Sequence, residues 1–114
     1  MNKDPLIFLQ HIMESIARIE SFSKDITKEG LSKNELKQYA IVRAIEIIGE
    51  AVKNLPKEFV EKYTSVPWRD IVGMRDKIMH QYFDMDLDIV WQVIKFNLPE
   101  LKTELQKILD ELQK

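Results

Sequence analysis

Three side chains that could carry acid–base and phosphate chemistry lie within eight positions of one another, at Arg75, His80 and Tyr82. A histidine can take up and release a proton near neutral pH. An arginine stays positively charged and can hold phosphate oxygens through two parallel hydrogen bonds. The alternative is that these residues only provide the polar groups that a helix end requires. Residue types alone leave both interpretations open.

The spacing limits how these residues can meet. On one straight helix Arg75 and Tyr82, seven residues apart, share a face, whereas His80 lies about 140° from Arg75 and about 7.5 Å along the axis. The arginine and the histidine can converge if the helix loosens before His80. They can also converge if a second copy of the chain, related by a twofold axis, supplies the other half of a cleft.

Asp76 is a candidate supporting residue because it lies four positions before His80, on the same helical stripe. Its carboxylate could accept a hydrogen bond from one imidazole nitrogen and so fix the tautomer of the ring. The alternative is that Asp76 and Lys77 form a solvated surface patch, and the sequence does not separate the two.

Composition narrows the class of protein. The 114 residues suit a single domain, 1–114, and the net charge of −2 gives no general attraction for nucleic acid. The chain has no cysteine, which excludes disulfides and thiolate metal sites. Neither a metal cluster nor a cofactor motif is evident. No apolar stretch is long enough to cross a membrane, so we expect a cytoplasmic protein.

Hydrophobic spacing predicts an all-α protein without strands, an up-and-down bundle of four or five helices. The first helix should begin at Asp4-Pro5 and end at Glu29-Gly30. A second should open at a capping box, Ser32 to Glu35, and stop at Pro56, followed by a short helical piece.

Two further helices complete the predicted bundle. One should start at Val66-Pro67-Trp68 and fray near Phe83-Asp84. The last should be capped by Asp86 or Asp88 and be bent or split at Pro99, because proline cannot donate the helical hydrogen bond.

Longer segments resemble a known family. Arg75-x4-His80-x-Tyr82 resembles the extended R-x4-H-x-Y motif of HepT-like toxins in the HEPN-domain superfamily. "AIEIIGEAVKNL" (44–55) resembles the family's second-helix signature. "VPWRDIVGMRDKIMHQYFDMD" (66–86) and "VWQVIKFNLPELK" (90–102) resemble its core and closing segments. One difference is that the family more often has Asn where this chain has Asp76.

The resemblance implies a homodimeric, metal-independent endoribonuclease without a cofactor. It also implies a toxin role and a partner, an MntA-type nucleotidyltransferase antitoxin, with which a larger oligomer could form. Carried over to this chain, Arg75 and His80 would be catalytic, and Tyr82 would receive AMP from the antitoxin, which silences the toxin. Two alternatives are a catalytically silent dimeric helical module that binds a nucleotidyltransferase, and a structural assembly subunit.

Overall fold

The protein is a helical bundle with one small hairpin. The computed structural model describes residues 4–81 and 84–114. The elements, in chain order, are α1 (Pro5–Ser23), α2 (Lys28–Ser32), α3 (Glu35–Lys53), α4 (Lys57–Lys62), α5 (Trp68–Ile78), β1 (Met79–Gln81), β2 (Asp84–Met85), α6 (Leu87–Gln92), a π-helical segment (Val93–Asn97) and α7 (Leu98–Leu112). The predicted all-α bundle is confirmed, and the two short strands are an addition to it.

The core forms around α3, which packs against α1 on one side and α5 on the other, while α7 returns along α1. Each long helix contributes apolar residues at steps of three and four, the pattern of one buried helical face. The most deeply buried side chains, all at most 1% exposed, include Leu9, Ile12, Ile16, Ile19, Ile41, Ile45, Ile48, Ile78 and Leu105. This core fixes the position of α5, which carries Arg75.

The N-terminal helix starts as predicted but ends early. Asp4 caps α1 by accepting a hydrogen bond from the Leu6 N–H at 3.0 Å, and Pro5 occupies the first turn. The predicted end at Gly30 is wrong, because α1 stops at Ser23 and Asp25 adopts a left-handed conformation with φ 59°. Aspartate tolerates that conformation better than most residues do. A separate helix, α2, then includes Gly30.

The predicted capping box is also displaced. Ser32 belongs to α2, where its hydroxyl donates to the Glu29 carbonyl at 2.6 Å. The N-cap of α3 is Asn34, whose side-chain oxygen accepts from the Lys37 N–H at 3.0 Å. Serine and asparagine are both favourable N-cap residues, so the sequence correctly predicted a capped start of this helix but placed it two residues too early. The predicted short helix after Pro56 is confirmed as α4.

The predicted absence of strands is wrong immediately after α5. That helix ends at Ile78 rather than near Phe83, and β1 pairs antiparallel with β2. Strands of three and two residues are too short to show an alternating pattern in the sequence. The hairpin places the end of α5 beside the start of α6.

The last helix is split as predicted. Asp86 caps α6 by accepting from the Ile89 N–H at 3.1 Å. The π-helical segment separates α6 from α7, and Pro99 lies in the first turn of α7. The helical backbone is continuous into α7, and the proline, which cannot donate a helical hydrogen bond, comes just after the irregular π-helical turn.

A buried hydroxyl in α1 gives a stability prediction. The Ser15 side chain is 0% exposed, and its Oγ has no hydrogen-bond partner among residues 4–81 and 84–114. A buried unsatisfied hydroxyl costs about 1–3 kcal/mol. We therefore expect Ser15→Ala to raise the free energy of unfolding by about 1 kcal/mol, measured by urea denaturation. A loss of stability would show that the hydroxyl is satisfied in solution.

Candidate functional site

Arg75 lies in the last turn of α5 at the edge of the buried face. Trp68, Ile71, Met74 and Ile78 anchor the helix in the core. The Arg75 side chain is 41% exposed, and its Nη1 is 3.5 Å from the Asp76 Oδ1. An exposed ion pair between neighbouring residues stabilises a protein little, so this contact leaves the guanidinium available to another anion.

His80 lies beyond the helix, in β1, at an irregular point of the hairpin. Met79 pairs with Met85 and Gln81 pairs with Asp84, so His80 is an extra residue on its strand. An extra residue of this kind is a β-bulge, which redirects side chains and often occurs beside active sites. The imidazole is 55% exposed. The hairpin therefore presents His80 at the surface, close to the end of α5.

Asp86 is the side chain that contacts His80. Its Oδ2 is 3.2 Å from His80 Nε2, and its Oδ1 accepts from the Ile89 N–H. Its own N–H donates to the Ile78 carbonyl at 2.7 Å, which ties the start of α6 to the end of α5. One aspartate thus caps a helix, connects two helices and holds the imidazole.

The surroundings of Asp86 favour its ionised form. The hydrogen bond from the Ile89 N–H is the main cause that lowers the pKa of Asp86, and the hydrogen bond with His80 lowers it further. Backbone donors at a helix N-terminus stabilise an anion there. The carboxylate beside His80 is therefore negatively charged at neutral pH and can only accept hydrogen bonds.

The lowered pKa of Asp86 predicts a pH dependence of stability. A carboxyl group with a lower pKa in the folded state contributes stability above its unfolded pKa, and that contribution is lost as pH falls through the folded value. We expect wild type to lose stability on acidification below the ordinary aspartate range, and Asp86→Asn to lose less over the same range. Denaturation midpoints measured against pH check this, and parallel curves would contradict it.

The contact with His80 that was predicted for Asp76 is made by Asp86. Asp76 was expected to share a helical stripe with His80, but α5 ends at Ile78, so the stripe does not reach His80. The Asp76 carboxylate lies beside Arg75 instead. The sequence marked Asp86 only as a helix cap. Its role at His80 could not be read from spacing, because the two residues meet across a hairpin.

The other predicted residues are placed as follows. Tyr82, the predicted modified residue, lies outside the described residues. Among the hydrogen bonds and ion pairs of residues 4–81 and 84–114, Arg75 and His80 share none. α5 ends before His80, which is one of the two arrangements predicted to let Arg75 and His80 converge. Each has its own aspartate neighbour, and both side chains are partly exposed.

A cavity of about 790 Å³ lies between α5 and the helical segments from α6 to α7. Arg75 and His80 do not line it. Among the described residues that line it, Asp70, Glu100 and Glu104 are acidic and Lys77 is the one cation. This excess of carboxylates makes the cavity a poor site for a phosphate ester.

In the part of the chain that the structure describes, no three His, Asp or Glu side chains are grouped so as to hold a metal ion. Of the helices in residues 4–81 and 84–114, none has both the length and the apolar content to span a bilayer.

Comparison with known proteins decides the family. Residues 12–108 match the family model described as ribonuclease HepT-like. The chain belongs to the HepT-like ribonuclease family. The resemblance predicted from the motif segments is therefore confirmed. Because the match spans α1 to α7, it covers the hairpin and both of its flanking helices.

Several relatives are similar to this HepT-like chain. A Methanocaldococcus jannaschii protein named as a gamma-glutamylcyclotransferase and putative RNase is 48% identical over 114 residues, all of this chain but 51% of that protein. This chain thus spans about half of that relative. A second protein of that organism, named a putative RNase, is 41% identical over 97% of this chain and 96% of its own length.

A further relative carries the family name. The protein named probable ribonuclease HepT from Thermococcus cleftensis is 40% identical over 101 residues, which cover 89% of this chain and 92% of that protein. No solved structure matches the chain.

Proposed function

We propose that this HepT-like chain is a metal-independent endoribonuclease whose composite site is formed by Arg75 and His80 at the cleft of a homodimer. The observation that carries the proposal is the exposed His80 imidazole held by Asp86 within the Arg75-x4-His80 motif of a HepT-like family member. The names of its relatives, which include RNase or ribonuclease, support the same reaction class.

The chemistry follows from the substrate. RNA carries its own nucleophile, the 2′-hydroxyl, so cleavage needs that proton removed and the leaving 5′-oxygen protonated. His80 would act as the general base or acid in these transfers. Arg75 would bind the phosphate and stabilise the negative charge that develops on phosphorus. The products would be a 2′,3′-cyclic phosphate and a 5′-hydroxyl.

A dimer supplies what one subunit lacks. A single chain offers one histidine at this site, whereas the reaction needs both an acid and a base. A twofold cleft would bring two His80 and two Arg75 side chains to one linkage. The exposed apolar side chains Leu36, at 81%, and Phe96, at 65%, are surface that a second copy could cover.

The test is cleavage by the purified protein. We expect it to cut RNA in the presence of a chelator, to leave 2′,3′-cyclic phosphate ends, and to sediment as a dimer. Expressed alone, it should slow growth as the toxin of a toxin–antitoxin pair in the cytoplasm. Absence of cleavage at micromolar protein, or cleavage that a chelator abolishes, would refute the proposal.

Tyr82 is proposed as the site of control. An MntA-type nucleotidyltransferase antitoxin would transfer AMP from ATP to its hydroxyl with release of pyrophosphate, and the added phosphate would compete with RNA for Arg75. We expect intact-mass analysis after co-expression with such an enzyme to show one added adenylate. Tyr82→Phe should stay unmodified and stay toxic. An unmodified wild-type chain, or adenylylated Tyr82→Phe, would exclude this mechanism.

A silent binding module is the second candidate, favoured by the net charge of −2 and the acidic cavity. Such a protein would bind a nucleotidyltransferase, alone or in a larger oligomer, and would not cut RNA. Wild-type protein that forms this complex but leaves RNA intact would establish it.

A further inference from the structure

We infer that Asp86 is a positioning residue that fixes the tautomer of His80, so that Nδ1 is the nitrogen that exchanges protons with RNA. The inference rests on the proposed function for its consequence in catalysis. The assignment of the tautomer rests only on the hairpin geometry and does not depend on RNA cleavage.

Three contacts hold the Asp86 carboxylate in place. Its N–H donates to the Ile78 carbonyl at 2.7 Å, and its Oδ1 accepts from the Ile89 N–H at 3.1 Å. The first bond fixes the main chain of Asp86 and the second orients its carboxylate, which leaves Oδ2 directed at His80 Nε2, 3.2 Å away. The carboxylate cannot turn away without giving up the cap of α6.

The chemistry of the pair then determines which nitrogen carries the proton. A neutral imidazole has one N–H donor and one acceptor nitrogen, and an ionised carboxylate only accepts. Nε2 therefore carries the hydrogen that Asp86 accepts, and the lone pair lies on Nδ1. An acidic partner that fixes a histidine in this way leaves the opposite ring nitrogen free to work as the base.

The irregularity in β1 explains how His80 reaches Asp86. His80 is the unpaired extra residue of β1, and it lies six positions before Asp86 across the hairpin. The irregular strand brings the imidazole over the N-terminus of α6, while the ring stays 55% exposed for a substrate.

The decisive variant is Asp86→Asn, with Asp88→Asn as its matched control. The amide oxygen of asparagine can still cap α6, but its NH₂ group would face Nε2 and favour the opposite tautomer. We expect kcat to fall by about 10²- to 10⁴-fold, because an imidazole with the wrong nitrogen protonated cannot act as the base, with KM little altered. Asp88 is exposed on the same helical turn and pairs with Lys28. Asp88→Asn removes the same charge and should keep full activity.

A spectroscopic readout separates positioning from folding. In protein with ¹⁵N-labelled histidine, at a pH where the ring is neutral, His80 should show a protonated Nε2 and an unprotonated Nδ1. The balance should move toward Nδ1–H in Asp86→Asn. The His11 signals are assigned with His11→Ala. Circular dichroism of each variant verifies that it is folded.

The outcomes are distinct. A wild-type ring with its proton on Nδ1, or a tautomer that Asp86→Asn leaves unchanged, overturns the inference whether or not the protein cuts RNA. In an active protein, an unchanged kcat in Asp86→Asn also overturns it. If the protein does not cut RNA, the proposed function fails, and the tautomer measurement alone decides the role of Asp86.

Discussion

His80→Ala is expected to reduce RNA cleavage about 10²- to 10⁴-fold, the range typical for removal of a general acid or base. The loss should fall on kcat, because the imidazole moves protons in the transition state and contributes little to ground-state binding. The side chain is 55% exposed and outside the core, so the variant should fold as wild type does. Initial rates on a short fluorescent RNA in chelator, together with growth on induction, measure the effect.

The chain contains its own control for this substitution. His11, the other histidine, lies exposed on α1, where its ring meets the Phe8 ring edge-on. His11→Ala removes the same chemical group and should leave cleavage and toxicity unchanged. Equal activity in wild type and His80→Ala would show that any observed cleavage comes from elsewhere, including a contaminating nuclease.

Arg75→Lys should lower kcat/KM about 10- to 100-fold, although the positive charge is kept. A guanidinium holds phosphate through two hydrogen bonds in a fixed plane, whereas an ammonium offers a single point of charge. Loss of one hydrogen bond to a charged group costs about 1.5–3 kcal/mol, which corresponds to that change in rate. Arg75→Ala should lose more. Single-turnover cleavage rates over a range of protein concentrations separate binding from chemistry.

Arg69→Lys is the matched control, because Arg69 is an exposed arginine nearer the start of the same helix. It should change cleavage little. If Arg75→Lys retained wild-type kcat/KM, bidentate phosphate binding would be excluded, and a role for Arg75 limited to long-range charge would remain. If both lysine variants lost activity equally, the loss would not be specific to Arg75, and a defined phosphate site at that residue would be excluded.

The sequence by itself determined the helices and the motif. Apolar spacing along α1, α3 and α7 is a local property, and so are the signals of Asp4-Pro5, Pro67 and Pro99, because each acts on the backbone within one or two turns. The family resemblance rested on ordered segments along the chain. The helices and the family resemblance are therefore confirmed, although several helix ends lie at other residues than predicted.

Only the tertiary structure decided what His80 contacts. Whether α5 continued past Ile78 depended on competition between one more helical turn and a short hairpin, and flanking packing resolves such a competition. Because the helix stops there, Asp76 stays with Arg75, and Asp86 comes to His80 from across the hairpin. The pairing is between residues on separate elements, so no periodicity along the chain could reveal it.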